Sequence, residues 1–424
     1  MSTLTFSDIT KGQSEKPQIK SVLYNRQYIL YFAGQFISQT GTWMQQMALA
    51  WFTYSLNNNP VLLAVVGAAS QLPSFVLMPF AGVLADRLNR HKILIIIQSL
   101  ALLQAAILAA LTLLNLIQPW HLVALALFQG IINAFDLPVR SSFLADLTAE
   151  SSSDLPGVIA INSTINNITR VLGPALSGFV VSAVGVGICF LLNAISYIAV
   201  IVALLFINVT FLAPAKTYSG LYSELHEAFN YINCHPIFKK IITFLSFYSF
   251  GAMSYLMLLP MLVKGIGGNA NLLGCLMSAN AIGSLTGAML YLKSKLSTQR
   301  FYNILSVCAF VSSSFLITLS WTRNVWALMI ILSVLGAAMM FQMIGCMTLV
   351  QSEVDKNKRG RVMSLFLLSV MGSASIGGII SGAIAKDIGF ANTMNICCCY
   401  GLLVTGGLII SNLYSKYAAS TKQS

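Results

Sequence analysis

The sequence predicts an all-α polytopic membrane protein with twelve transmembrane helices in two six-helix halves. Three observations carry that prediction. Of 424 residues, 57% are hydrophobic and 8% charged, whereas a soluble chain carries about 25% charged residues. Apolar runs recur near 28–53, 60–83, 93–116, 120–138, 157–184, 188–210, 238–262, 270–292, 301–321, 325–349, 362–385 and 390–413. Each approaches the roughly 20 residues that cross a bilayer core. Third, the basic residues fall on one side of that layout.

With the N-terminus placed in the cytoplasm, Lys264, Arg323 and Lys386 lie outside and Arg170 lies within the membrane. The other twenty of the 24 Lys and Arg, all but these four, are cytoplasmic. This positive-inside bias favours an even number of spans with both termini cytoplasmic. The net charge of +12 is then topological, and nucleic acid is not an expected partner. The tail 1–26 shows no short apolar core before a cleavage site, so insertion is expected through the first span. The cysteines sit mostly inside apolar runs and the four histidines are scattered, which fits no metal site. No Gly-rich loop with lysine offers a phosphate cradle. Neither cofactor nor catalysis is expected.

In the first span, Gln35, Gln39, Thr42 and Gln46 are spaced 4, 3 and 4 and share one helical face. Lipid would leave such groups unsatisfied, so they face protein or a water-filled path. They serve as interhelical glue or as ligands for a small polar molecule. Between spans 2 and 3 stands GVLADRLNRHK, with Gly82, Asp86, Arg87 and Arg90 in the order G-x-x-x-D-R-x-x-R-x-K. A carboxylate among helix ends and fixed cations can lock one conformation and release another.

This string resembles the loop motif of the major facilitator superfamily, with Asn89 where glycine is usual; asparagine also tolerates left-handed backbone. Segments 41–56, 133–147, 160–178, 189–201 and 359–366 are similar to its transmembrane-secretion-effector branch, which includes enterobactin exporters. The resemblance implies secondary transport, a gating role for the loop, and a role in exporters for a Gly-Pro pair in helix 5. The arginine usual three residues before Gln129-Gly130 is here Ala126, a departure from the standard proton relay.

Span 5 contains NSTINNITRVLGPALSG, residues 162–178. Asn162, Asn166, Thr169, Gly173 and Ser177 form a narrow face with Arg170 at its edge. Pro174 removes a backbone donor, while Gly173 and Gly178 allow close helix approach. An intramembrane arginine must be offset by something. Asp136 is placed about 12 Å away along the membrane normal, too far for a direct pair. Arg170 is therefore expected to meet an anionic substrate with help from Gln39, Thr42, Gln46, Asn162 and Asn166, or else to bond backbone carbonyls. Asp136 is the expected proton-coupling carboxylate, with a structural pairing to Arg140 in the DLPVR stretch as the alternative.

A hydrophilic break at 211–237, with an amphipathic helix expected over 221–232, separates halves 27–210 and 238–413, and a tail follows from 414. Shifting by 204 positions puts Gly173, Ser177 and Gly178 on Gly377, Ser381 and Gly382, and Arg170 on Ala374. Two parallel-repeat halves place a substrate site between them near the midplane. The sequence thus points to a proton-coupled exporter of a small organic anion or siderophore-like metabolite in a bacterial inner membrane. It is expected to be monomeric and to meet only substrate, protons and lipid. Multidrug efflux and a transporter-like receptor are the alternatives.

Overall fold

A computed structural model describes residues 25–74, 76–77, 80–81, 88–148, 154–207, 221–294, 298–355 and 358–420. These residues are helical almost throughout. Six helices form an N-terminal set: α1 (Arg26–Asn57), α2 (Pro60–Ala69), α3 (Arg90–Leu113), α4 (Pro119–Leu147), α5 (Leu155–Val184) and α6 (Val186–Leu205). After α7 (Leu221–Cys234) come α8 (Pro236–Ala252), α9 (Ser254–Gly265), α10 (Ala270–Ser294), α11 (Thr298–Trp321), α12 (Val325–Glu353) and α13 (Arg359–Ser420). Among the described residues, nine helical stretches are long and apolar enough to cross a membrane, Phe238–Gly265 and Val362–Ile410 among them.

Asparagines set many of the boundaries. Asn25, Asn59 and Asn324 accept from the first backbone amides of α1, α2 and α12, which would otherwise lack partners. Asn58 ends α1 in the left-handed region at φ 53°. Asn89 also caps a helix: its side chain accepts from the Lys92 amide at the start of α3. Its φ of −63° corrects the left-handed conformation expected there. At α4, Gln118 and His121 cap reciprocally before Pro119. His121 is thus a capping residue.

Three boundaries differ from expectation. The span expected at 60–83 ends its first helix at Ala69, with a cap on Ser70. Helix α4 continues through Pro138 to Leu147 instead of ending near 138, because Asp136 and Arg140 close a polar turn across the proline. The span expected at 238–262 is divided at Met253 into α8 and α9. Helix α13 is interrupted at Gly389, whose φ of 79° lies in the region glycine enters without cost.

The internal repeat is visible in geometry. Gly185, joining α5 to α6, has φ 91° and ψ 169°; Gly389, 204 positions later, has φ 79° and ψ 171°. A Cβ on Gly173 would overlap Trp43 of α1, and one on Gly377 would overlap the Phe250 carbonyl of α8. Small residues therefore set the helix spacing at matching places in both sets.

The sets meet through α5 against α10 and through α2 against α13. A Cβ on Gly178 would lie 2.8 Å from the Ala270 carbonyl oxygen. Gly274 faces the Pro174 carbonyl, and Gly382 packs on Ala64 and Pro60. Ser278 donates to the Val171 carbonyl at 2.6 Å. These contacts gather toward the end holding Pro60, Gly185 and Gly389, opposite the end holding Arg26, Arg90 and Arg359.

Close packing and open space predict opposite outcomes for one substitution. Gly283→Ala pushes a methyl into the Ser333 carbonyl of α12 and should cost about 1–3 kcal/mol. Gly406 has nothing within 4 Å of an added Cβ, so Gly406→Ala should be neutral or slightly stabilising. Thermal unfolding of the two purified variants measures the difference.

Candidate functional site

A cavity of about 570 Å³ lies between the sets, and an adjoining one of about 250 Å³ extends past Ser141 and Asn162. The two share Gln39, Trp43, Asp136, Leu137 and Arg140. Gln39, Thr42, Gln46 and Arg170 line the larger cavity. Asn162 and Asn166 line the smaller. The structure thus places these six residues on the walls of two adjoining cavities.

Helix α5 presents Arg170 to the larger cavity one turn before Pro174, whose imide nitrogen cannot donate to the Arg170 carbonyl. The Arg170 guanidinium lies 5.6 Å from the centre of the Trp43 ring. Among the described residues it forms no ion pair and no hydrogen bond. Trp43 reaches this place because Gly173 has no side chain to displace it. Stacking offsets part of the cost of a desolvated cation but leaves its N–H groups available.

A second buried arginine is treated differently. Arg140 pairs with Asp136 one turn earlier on α4. With their amide oxygens turned toward it, Gln35 and Gln39 of α1 also accept from its guanidinium. Asp136 accepts a further bond from Gln98 of α3 at 2.8 Å. This assembly ties α1, α3 and α4 together at the cavity wall. Nearby, Thr42 and Tyr197 share a hydroxyl contact of 3.1 Å. Gln45 donates to Gln104 at 3.0 Å and accepts from Asn193 at 2.8 Å, which satisfies three buried amides.

Of the gating candidates, Gly82, Asp86 and Arg87 lie outside the described residues. Arg90 forms a 2.6 Å ion pair with Asp146, the two side chains 10% and 6% exposed. It joins the start of α3 to the last turn of α4. Gly173 sets the α1–α5 contact, and Pro174 and Gly178 lie on the α5–α10 seam. Gln71, Gln129, Asn133 and Asn280 also line the cavity. Asn193 does not line it but bonds the lining residue Gln45, and Gln342 bonds Ser312 within the C-terminal set.

Sequence reasoning did not select Gln98 or Asp146 for the site. The pairing of Asp136 with Arg140, which it named as the alternative to a free coupling carboxylate, is present in the structure; the two residues are four apart, which is one helical turn.

Two helix sets around a shared cavity that carries buried charges form the architecture of a membrane transporter, and the family match assigns that class. The chain belongs to the transmembrane secretion effector family of the major facilitator superfamily, whose model matches residues 22–423. It is 28% identical over 371 residues to the staphyloferrin A transporter of Staphylococcus aureus, covering 86% of this chain and 91% of that protein. It is 24% identical over 422 residues to the uncharacterised MFS-type transporter YfiS of Bacillus subtilis, covering 96% and 97%. Among solved structures it resembles the nucleoside transporter NupG (15% identity, TM-score 0.70, 91% of this chain and 99% of that one). It also resembles a bacterial homologue of the lysosomal transporter Spinster, inward-facing and unoccupied (14%, TM-score 0.66, 96% and 98%). The chain is a multi-pass membrane transporter and not an enzyme.

The Asp136–Arg140 pair should behave as a unit. Breaking a buried pair from one side costs about 3–5 kcal/mol, because the remaining charge is stranded. Arg140→Gln should therefore lower the unfolding temperature more than the double variant Asp136→Asn with Arg140→Gln. A double-mutant cycle on purified protein gives the coupling energy, and simple additivity would rule out the unit.

Proposed function

We propose that the protein is a proton-coupled exporter that moves a small organic anion or siderophore-like metabolite by alternating access. The observation that carries this reading is Arg170, a cavity-lining cation without a carboxylate partner among the described residues. Gln39 and Gln46 line the same cavity and Asn162 and Asn166 the adjoining one, and their amides are donors suited to carboxylate or catecholate oxygens. The likeness to a staphyloferrin A transporter supports a siderophore-like cargo. The Gly173-Pro174 pair supports outward movement through the family resemblance.

In this proposal twelve spans form two halves, 27–210 and 238–413, joined by 211–237. The chain sits as a monomer in a bacterial inner membrane with both termini in the cytoplasm. The cross-set contacts close the end remote from the basic residues, so substrate enters from the cytoplasmic side. Asp136 supplies coupling. Its carboxylate is the negative partner of Arg140 in a pair that ties α1, α3 and α4 together at the cavity wall.

Inside-out vesicles with an acidic lumen test the proposal. A panel of labelled carboxylates and catecholates should include one that accumulates with the gradient and stops when a protonophore is added. Arg170→Ala should reduce that flux at least tenfold, since losing one partner of a buried charge pair costs about 2–5 kcal/mol. Absence of gradient-dependent uptake across the panel would refute export of this class. Cationic drug efflux that survives Arg170→Ala would identify an exporter of amphipathic drugs instead.

A further inference from the structure

The charges lining the cavity are divided unequally between the two helix sets. Among the described residues, those lining it, Arg170, Arg140 and Asp136, all come from the N-terminal set, which also supplies apolar residues such as Leu49, Leu63 and Ile132. That set also brings the amides of Gln39, Gln46 and Gln71. From the C-terminal set come Leu256, Met257, Met277, Asn280 and Ala281. Asn280 is the polar member of that group, and both of its N–H donors are engaged within its own set. They reach the Tyr255 hydroxyl at 2.8 Å and the Leu332 carbonyl at 3.0 Å. The C-terminal set therefore presents a methionine-rich apolar surface with its donors turned away.

This surface lies close to the cation. Ser278 bonds the Val171 carbonyl at 2.6 Å, so the residues adjacent to Met277 and to Arg170 are in direct contact across the seam. Met257 is held against Gly67 of α2 and Gly378 of α13, closing the apolar side. A purely hydrophilic anion would leave this wall wet at no gain. An occupant with an apolar flank would remove it from water, and the gain scales with the area covered. Methionine suits such a wall, because its flexible thioether adapts to irregular apolar and aromatic surfaces.

We infer that the substrate is amphiphilic, with an anionic head held by Arg170 and an aromatic or aliphatic flank laid on Met277, Leu256 and Met257. This rests on the anion-exporter reading and narrows it. Directional bonds then stay within one rigid set while the sets rotate. Contacts to the other set are non-directional and reform as the helices slide. The substrate travels with the N-terminal set against an apolar track.

The test uses the full chain in lipid nanodiscs, with acetate and 2-naphthoate as probes and empty nanodiscs to subtract partitioning. Titration calorimetry should show native protein binding 2-naphthoate at least tenfold more tightly than acetate. Leu256→Gln with Met277→Gln should bring that ratio within threefold, while Met277→Leu should keep it. Equal affinity for the two probes in native protein, or a ratio that survives the double glutamine change, would overturn the inference. Arg170→Gln separates the two readings. It should weaken both probes by a similar factor, and unchanged binding of both would overturn the anion reading beneath the inference.

Discussion

A guanidinium placed in a membrane cavity with no carboxylate partner among the described residues is the constraint around which this fold is arranged. Such a group cannot face lipid, since charge at that depth costs several kcal/mol or more. Helix α5 must therefore keep Arg170 between the two helix sets, and its other features serve that placement. Gly173 draws α1 close enough for Trp43 to cover one side of the guanidinium. Gly178 lets the far end of the helix rest on α10. The Pro174 turn between them carries both contacts, so anything that moves α5 alters the cation and the seam together.

The two cavity arginines show how environment divides one chemistry into two roles. Arg140 is neutralised by Asp136 and enclosed by Gln35 and Gln39, which makes it part of the scaffold of three helices. Arg170 has an aromatic face instead of an anion. The halves share a repeat, yet position 374, which corresponds to Arg170, is Ala374. A symmetric fold thereby acquires an asymmetric site, with charge on one set and methionine on the other.

Much of this was legible in the sequence, and the rest was not for identifiable reasons. Membrane class follows from composition alone, and the stripes on α1 and α5 follow from helical periodicity. The position of Arg170 needed only the lengths of the spans. The continuation of α4 was hidden because Pro138 reads locally as a helix end, whereas an ion pair across the turn holds the helix together. The break at Met253 follows Gly251 by two residues, but a lone glycine inside an apolar run is common in membrane helices and does not by itself announce a break. The Gln45–Gln104–Asn193 triad joins three helices distant in sequence, so no local spacing announces it. The capping role of Asn89 was not announced, because a motif comparison marks a departure but does not show which backbone geometry replaces it.

The most direct measurement is the affinity of purified native protein for a carboxylate and for its neutral amide, with benzoate and benzamide as a pair of nearly equal shape. Native protein should favour benzoate strongly, and Arg170→Gln should erase the preference while leaving benzamide binding nearly unchanged. Equal affinity of native protein for the two, or a preference that persists in Arg170→Gln, would contradict Arg170 as the counter-charge of the substrate.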